Sequence, residues 1–394
     1  MKPNIYKERE KRQKKRAGQI LRELFSKTAT LTFKKKKYTF YPVRTIAAII
    51  AIILIISVIC EIASGFGEKS LDVPFEAGAP YTIHSGQWGV LLSNNRGAIA
   101  VDENGKTKWQ IEQALSQPQI DIGGEYTMLC DLAGKHYAAS YKNGKKATEY
   151  KVENDIISAK VTEKGFAAIA TDTDGYKGKV AVFNKRGREI YAWNSGSGYI
   201  TDIDITARGR YLAVAQLVEG DGEVSSKIQF IDTSRGEVIS TAERNGELAA
   251  EMKFVSDNKL IVVCDNSIVG YNKKGKELFC ISLKGKSPSL YSIDSDDIIA
   301  VEVRDNMGNS LVEMYTMSGK FTGSYKSDSD IRHLATGGKR TIVVEQKGIV
   351  SITPRGKVKK IIKAEHDTEA VGVFESGKTA VATGSMSGEI FGIR

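Results

Sequence analysis

The chain has 394 residues and carries 57 Lys or Arg against 47 Asp or Glu, a formal net charge of +10. Residues 1–44 contain fifteen Lys or Arg and three Glu, so they carry +12 and the rest of the chain carries about −2. The basic character therefore belongs to a short N-terminal tail, and the large remainder is close to neutral. The tail has no recognisable nucleic-acid-binding module, so no nucleic-acid partner is expected.

The tail has two basic clusters. Residues 7–16 read KEREKRQKKR, and residues 34–37 are four lysines. Apolar residues at helical spacing follow the first cluster: Ile20, Leu21, Leu24 and Phe25. A short amphipathic helix on anionic lipid would have this pattern. The charge density favours the alternative, a disordered segment that only sets membrane topology.

An apolar segment follows the tail. Residues 45–60 read TIAAIIAIILIISVIC, without charge, and ten of these sixteen residues are Ile, Leu or Val. With flanking apolar residues, 45–63 reaches the length of about 17–20 residues that a membrane-spanning helix needs. A cleaved signal peptide is the alternative, but 44 residues precede the run, no A-x-A site follows, and Ile59 stands where a lipobox needs a small residue. We therefore predict an uncleaved, single-pass transmembrane helix at 45–63.

The charge asymmetry predicts the orientation of this helix. Lys and Arg close to a membrane-spanning helix stay on the cytoplasmic side. Residues 1–44 are therefore expected to be cytoplasmic, and the chain beyond a linker at 64–70 is expected to lie outside. The predicted localisation is the cell membrane, with the N-terminus inside.

A glycine-centred repeat organises the large remainder. Seven segments place a glycine between two strand-like runs, as in AVDENGKTKW at 100–109. Their spacings are 39, 43, 49, 39, 44 and 37 residues, and the glycines are Gly105, Gly144, Gly187, Gly236, Gly275, Gly319 and Gly356. Glycine supplies the positive φ that hairpin turns require. Each segment is therefore predicted to be a β-hairpin.

Two further strand-like runs precede each hairpin. Four short strands in about 40 residues are the period of a propeller blade, and blades must pack into a ring because one blade cannot bury both of its faces. Seven complete units occupy roughly 81–365, and a last unit supplies only three strands. We predict that 71–75 closes this unit as its outermost strand. The predicted fold is all-β, an eight-bladed β-propeller at 71–394, with seven blades as the alternative.

The segment AVDENGKTKW also carries a resemblance. It resembles the A-x-D-x-x-T-G-x-x-x-W repeat of quinoprotein-like propellers, which include pyrroloquinoline quinone dehydrogenases and the outer-membrane assembly lipoprotein of the β-barrel insertion machine. The tryptophan-docking pattern is good in only one blade, and the chain has only three Trp. The layout also resembles uncharacterised single-pass propeller proteins of Gram-positive bacteria. The resemblance implies a propeller fold and, by itself, little about function.

No catalytic, cofactor-binding or metal-binding residues are predicted. Four histidines fall in different blades without metal-like spacing: His84, His136, His333 and His366. The segment Asp172-Thr-Asp174-Gly begins like a calcium loop, but Tyr176 and Phe183 stand where oxygen ligands are needed, so it is interpreted as a turn. The quinone enzymes that share the repeat use adjacent cysteines and calcium-binding acidic residues, and this chain has no adjacent cysteines. No cofactor is therefore expected.

The cysteines beyond the apolar segment are predicted to be small buried hydrophobes. Cys264 and Cys280 fall on the second and fourth strands of one blade, with the third strand between them, which is too far apart for a disulfide. Cys130 lies in a different blade.

The predicted function is a membrane-anchored binding or scaffold module outside the cell membrane, not an enzyme. Its expected partner is an envelope protein or a cell-wall polymer. An enzyme or metal site assembled in the propeller funnel is one alternative, and convergent carboxylates there would favour it. A transmembrane sensor is the other alternative.

Two surfaces are candidates for recognition. Long loops between second and third strands are predicted at 172–179, 219–227 and 304–309. These loops are candidates because binding residues concentrate on loops held by a rigid scaffold. The first two loops would form either an acidic patch or solvated turn tips with Asp172, Asp174, Glu219, Asp221 and Glu223.

The other surface consists of the hairpin tips. These tips would face the bilayer if the short linker leads directly into the closing strand. Their basic residues are Lys106, Lys145, Lys146, Arg186, Arg188, Lys273, Lys274, Lys276, Arg355 and Lys357. Contact with anionic lipid is one interpretation, and ordinary turn chemistry is the other.

Overall fold

A computed structural model gives the architecture. It describes residues 29–33, 36–40, 46, 49–50, 52–56, 69–71 and 81–394, apart from 133–135, 221–222, 287, 294–296, 305–306, 364–367 and 385–386. The chain divides into two compact units, 1–67 and 68–394.

The first unit contains a β-hairpin that the sequence does not predict. Strands β1 (Ala29–Phe33) and β2 (Lys36–Phe40) are antiparallel, with Ala29 opposite Phe40. The alternation of Thr and Lys with Leu, Phe and Tyr in these two runs is typical of a two-stranded ribbon. The apolar residues expected to form an amphipathic helix in the tail lie outside the described residues.

Residues 46, 49–50 and 52–56 are helical, and the rest of the predicted span at 45–63 lies outside the described residues. Among the residues that the structure describes, no helix has both the length and the apolar character needed to cross a membrane.

The second unit is an eight-bladed β-propeller, as predicted, because its strands form eight four-stranded sheets. Blades 1 and 2 contain β4 (Thr82–Gly86), β5 (Gly89–Asn94), β6 (Gly97–Val101), β7 (Thr107–Glu112), β8 (Pro118–Gly123), β9 (Tyr126–Asp131), β10 (Tyr137–Lys142) and β11 (Lys145–Lys151). Blades 3 and 4 contain β12 (Ile156–Val161), β13 (Ala167–Thr171), β14 (Lys179–Phe183), β15 (Glu189–Asn194), β16 (Tyr199–Ile205), β17 (Tyr211–Gly220), β18 (Glu223–Asp232) and β19 (Glu237–Arg244).

The second half of the ring repeats the same arrangement. Blades 5 and 6 contain β20 (Ala249–Ser256), β21 (Lys259–Cys264), β22 (Ser267–Tyr271), β23 (Glu277–Ser282), β24 (Tyr291–Ser292), β25 (Ile298–Arg304), β26 (Ser310–Thr316) and β27 (Phe321–Lys326). Blades 7 and 8 contain β28 (Ile331–Gly337), β29 (Arg340–Glu345), β30 (Gly348–Ile352), β31 (Val358–Ile362), β32 (Thr368–Val373), β33 (Thr379–Gly384), β34 (Gly388–Gly392) and the N-terminal strand β3 (Lys69–Ser70).

Burial along the strands explains the sequence pattern. In blade 5 the middle strand β22 is buried throughout, and β21 is buried from its second residue on. The outer strand β23 mixes exposed and buried positions. Strands covered by neighbours on both sides read as continuous apolar runs, whereas a rim strand must alternate. The cores lie between blades, as where Phe230 of blade 4 packs with Met252 and Leu260 of blade 5.

Each blade is a meander of antiparallel neighbours, and this defines two faces of the ring. Turns between first and second strands and between third and fourth strands lie on one face, which we call the hairpin face. Turns between second and third strands and the connections between blades lie on the other, which we call the connector face. All seven hairpin glycines have φ between 73° and 82°, which confirms the predicted turns.

The N-terminal strand closes the ring, although it lies earlier in the chain than predicted. Lys69 pairs with Ile390 and Ser70 with Glu389, and the Leu71 N–H donates to the Gly388 carbonyl at 3.0 Å. Of the predicted strand 71–75, Leu71 takes part in this pairing, and 72–80 lie outside the described residues. Leu71 is buried among residues of blades 8 and 1. The closed ring confirms eight blades rather than seven.

Candidate functional site

The first strands of the blades line a central channel. First strands of neighbouring blades pack against one another around the ring. The channel contains a cavity of about 410 Å³ with a mostly polar lining. A second cavity of about 510 Å³ opens toward the hairpin face. Asp121, Asp204 and Lys253 line both cavities, which therefore form one passage.

Polar side chains on β8 bind the backbone of the next blade. The Ala159 N–H donates to Gln119 Oε1 at 2.8 Å, and the Val161 N–H donates to Asp121 Oδ2 at 2.8 Å. Side chains two residues apart on a strand share a face. The first strand is the inner edge of its sheet, so those of its N–H groups that point away from the second strand have no hydrogen-bond partner within the blade. Gln119 and Asp121 supply that partner.

The same arrangement recurs two blades further on. The Met252 N–H donates to Asp202 Oδ2 at 2.8 Å, and the Phe254 N–H donates to Asp204 Oδ2. Asp202 Oδ1 also accepts a hydrogen bond from Ser158 Oγ at 2.9 Å, so this carboxylate joins three blades. The channel carboxylates therefore hold neighbouring blades together.

Lys160 supplies positive charge to this cluster. Its Nζ lies 3.9 Å from Asp202 Oδ1, and both side chains are largely buried. Burial alone would lower the pKa of Lys160, but the negative charges of Asp202, Asp121, Asp204 and Glu251 raise that pKa above its ordinary value. Lys160 therefore stays protonated as the counter-ion of the channel.

Asp204 behaves differently from an ordinary aspartate. Burial disfavours its charged form and raises the pKa to about 7, while Lys160 and the hydrogen bond from Phe254 oppose the rise. The charge of the channel therefore changes near neutral pH.

Convergent carboxylates are present in the funnel, the feature expected to favour an enzyme or metal site. Three of them bond to backbone N–H groups or to Lys160. Within the described part of the chain, no group of three or more His, Cys, Asp or Glu is arranged to hold a metal ion. The channel can therefore be explained as a hydrogen-bonded joint between blades.

The histidines lie apart from one another where they are described. His84 lines the channel cavity. His136 lies on the connector face, with its Nε2 atom 3.9 Å from Asp155 Oδ1. His333 lies in β28, and His366 lies outside the described residues. The segment that begins like a calcium loop is a connection between β13 and β14, in which Gly175 has φ 77°.

The prediction of buried cysteines is wrong for one of them. Cys130 and Cys264 are buried, and burial raises the pKa of each thiol to about 12. Cys280 is exposed because it lies on the rim strand β23, whose side chains alternate between core and solvent. All three are free thiols, as predicted.

Exposed aromatic and aliphatic side chains gather on the connector face of blades 3, 4 and 5. Tyr176 is 52% exposed, Tyr199 58%, Val224 56% and Leu248 40%. Lys177, next to Tyr176, donates a hydrogen bond from Nζ to the Tyr199 hydroxyl at 2.8 Å. We call these five residues the blade 3–5 surface.

The second predicted loop proves to be part of a long β-hairpin. Strands β17 and β18 have ten residues each, and their pairing continues to Gly220 opposite Glu223. The polar, Gly-containing sequence suggested a loop, but Val218 and Val224 support extended strands. The loop at 172–178 is present, and the loop after Arg304 connects β25 to β26. The hairpin projects beyond the ends of β16 and β19 on the connector face.

The predicted acidic residues lie on the loop and the hairpin that contribute to this surface. Asp172, Asp174, Glu219 and Glu223 are exposed, and Asp221 lies outside the described residues. The predicted basic residues on the hairpin face are exposed as well: Lys106, Lys145, Lys146, Arg186, Arg188, Lys274, Lys276, Arg355 and Lys357. Lys273 is half-buried, with its Nζ 5.0 Å from the centre of the Tyr211 ring.

Comparisons with known proteins agree with this architecture. A model of a family of unknown function matches residues 81–386. No curated protein matches the sequence. The crystal structure of BamB from Moraxella catarrhalis is 13% identical, with a TM-score of 0.52, over 82% of this chain and 97% of that chain.

Two other solved structures have similar folds. The computationally designed Ika8 protein is 12% identical, with a TM-score of 0.61, over 82% of this chain and 100% of that chain. The C-terminal WD40 domain of Sif2 is 11% identical, with a TM-score of 0.57, over 83% of this chain and 99% of that chain. At these identities the similarity shows the propeller fold. Neither the family description nor these structures indicates an enzyme, in agreement with the sequence-based expectation.

Proposed function

The chain belongs to the DUF5711 family, whose function is unknown, and we propose that it is a binding or scaffold module of the cell envelope. One observation carries this proposal. The polar side chains of the channel bond to neighbouring blades, whereas the blade 3–5 surface leaves apolar side chains from three successive blades exposed on the connector face. A rigid ring with such a surface is suited to holding a partner.

The anchored topology is part of the same proposal. Residues 1–44 carry +12 and precede an uncharged run at 45–60. This order favours a cytoplasmic tail and an outer propeller. Protease added to cells stripped of their wall should remove the propeller and leave the tail. An intact propeller released into the medium would instead indicate cleavage after the apolar run.

The binding proposal can be tested by photo-crosslinking in native membranes. The full-length protein would carry a photo-reactive amino acid at Tyr199 or Val224 on the connector face, or at Arg186 or Lys357 on the hairpin face. A discrete adduct at a position on either face is the expected result. Variants that fold and reach the membrane but give no adduct at any position would contradict a binding module.

A second role for the hairpin face follows from where the chain enters the ring. Strand β3 runs antiparallel to β34 from Lys69, opposite Ile390, toward Leu71, opposite Gly388. It therefore begins at the hairpin face, where the basic tips lie. A short linker from a membrane anchor would favour contact of this face with anionic headgroups, each Lys or Arg contributing about 1 kcal/mol.

Liposome binding tests this second role. Residues 67–394 should bind vesicles that contain anionic lipid at low salt and should dissociate as salt is added. Reversing the charges of Arg186, Arg188, Arg355 and Lys357 should abolish the binding. Equal binding to neutral vesicles would contradict an electrostatic contact.

A further inference from the structure

The blade 3–5 surface combines features that identify the chemistry of its partner. We propose that it binds a basic segment of a partner protein, one that presents Lys or Arg beside an apolar side chain. This inference rests on the proposed binding function and assigns it a site and a ligand class.

The surface is held rigidly. The Lys177 N–H donates to the Ser195 carbonyl at 2.8 Å, which fixes the loop that carries Tyr176 to the end of the rim strand β15 of blade 3. Beneath it a polar chain crosses blade 4, in which Gln229 donates to Gln216 at 2.9 Å and Thr241 donates to Gln229 at 2.7 Å. Exposed rings on such a base lose little conformational entropy when they bind a partner.

The projecting hairpin is tied to the next blade. Ser225 Oγ accepts a hydrogen bond from the Gly246 N–H at 3.1 Å, and Ser226 Oγ accepts one from the Ala249 N–H at 2.8 Å. The connection between these two donors carries Leu248, whose N–H donates to Asp265 Oδ1 at 3.0 Å. Val224 and Leu248 therefore belong to one continuous surface across blades 4 and 5.

Charge complementarity selects the occupant. Asp172, Asp174, Glu219 and Glu223 are exposed on the loop and the hairpin that carry Tyr176 and Val224, and Lys177, bonded to Tyr199, is an exposed basic residue beside them. An anionic lipid headgroup or a phosphate-rich polymer would be repelled by four carboxylates. Lys or Arg would be attracted by them and would find the exposed Tyr176 ring as a cation–π partner, whereas Lys177 Nζ already lies 4.4 Å from the centre of the Tyr199 ring. A basic segment with an apolar anchor satisfies both features.

The test uses the purified full-length protein and a fluorescein-labelled, lysine-rich peptide with a central leucine pair. Its counterpart has glutamine in place of every lysine, because an acidic peptide would be attracted by the +12 tail of the full-length protein. Fluorescence anisotropy at low salt should show saturable binding of the basic peptide only, weakened as salt is added. No saturable binding of the basic peptide, or equally tight binding of the glutamine peptide, would overturn the proposal.

Variants locate the site. Glu219→Lys/Glu223→Lys should weaken binding by about tenfold or more, and Tyr176→Ser/Tyr199→Ser should do the same. The matched control Glu112→Lys/Glu189→Lys reverses two exposed charges on the rim strands β7 and β15, and should change the affinity by less than about twofold. Equal loss in the control would show non-specific attraction and would overturn the site.

Two results separate this inference from the binding function. If the melting temperatures of the variants match that of the parent, loss of folding does not explain weaker binding. If crosslinked partners appear only at Arg186 or Lys357 on the hairpin face, the protein remains a binding module but this site is wrong. If no position gives an adduct, the binding function itself fails.

Discussion

Lys160 lies among four acidic side chains of the channel, and its counter-charge lets these carboxylates lie close together. Lys160→Met should lower the free energy of unfolding by about 3 kcal/mol, because removing one partner leaves buried charge uncompensated. Lys164→Met is the matched control, since Lys164 pairs with Glu163 on the exposed surface. It should change the free energy by less than about 0.5 kcal/mol. Urea denaturation measures both, and equal effects would contradict the role of Lys160.

The raised pKa of Asp204 predicts that the stability of the protein depends on pH. Its folded-state pKa is about 7, above the ordinary value of about 4, so the folded state holds the proton more tightly. The stabilisation from this group is complete below about pH 4 and is lost as the pH rises through about 7. Asp204→Asn keeps a side-chain oxygen that can accept the hydrogen bond from the Phe254 N–H, but the amide does not titrate. The melting temperature of the variant, relative to that of the parent, should therefore rise from pH 5 to pH 8. A difference that stays constant would contradict the raised pKa.

The channel residues were only partly predictable. The runs QIDIG at 119–123 and TDIDI at 201–205 alternate polar and apolar residues, which indicates strands with one polar face. This signal could have located Asp121, Asp202 and Asp204 on one wall. Their partners are backbone N–H groups forty to fifty residues further along the chain. Only the ring geometry brings them together, so local sequence does not identify them.

At the scale of the hairpins, the tryptophan pattern seen in one blade is a case of a general contact. In blades 1 to 5, the side chain four residues after the hairpin glycine packs against the hairpin glycine of the next blade: Trp109 on Gly144, Thr148 on Gly187, Tyr191 on Gly236, Ser240 on Gly275 and Phe279 on Gly319. In blade 6 this position is Gly323, and Gly356 of blade 7 meets the Ser324 backbone instead. Sequence comparison detects the motif only where the residue is Trp, although the position is reused. The glycine spacing was therefore a better guide to the fold than the tryptophan.

These hairpins allow a matched pair of glycine substitutions. Gly356 has φ 76°, and an added Cβ would collide with the Ser324 backbone. Gly175 has φ 77°, but nothing lies within 4 Å of an added Cβ. Gly175→Ala should therefore cost about 1 kcal/mol from backbone strain alone, whereas Gly356→Ala should cost roughly 3 kcal/mol. Equal losses in thermal unfolding would contradict close packing between the hairpins of blades 6 and 7.

At the scale of the whole molecule, the last blade depends on the first described strand of the propeller. A chain that begins at Gly78 lacks β3 and Leu71, whereas one that begins at Gly67 keeps them. The shorter chain exposes the edge of β34 and loses the buried Leu71 side chain. We expect its melting temperature to be lower by about 5 °C. Equal melting temperatures would show that β3 does not close the ring.

The ring itself was predictable because its period repeats seven times in the sequence, and averaging over copies overcomes the weak signal of each strand. The recognition surface was not predictable in the same way. It depends on an irregularity, the lengthened β17–β18 hairpin of blade 4, on Tyr199 at the start of β16, and on Leu248 in the connection between β19 and β20. Blade-to-blade differences escape a repeat-based reading because the repeat describes only what the blades share.

Hydrogen exchange on the full-length protein, with and without the lysine-rich peptide, tests the central claim most directly. The peptide should slow exchange in the segments that carry Tyr176, Tyr199, Val224 and Leu248, because a bound segment covers the connector face of blades 3–5. Exchange elsewhere should stay the same. Protection confined to the channel strands β8, β12 and β16, or to the hairpin face, would contradict this account of where the protein binds its partner.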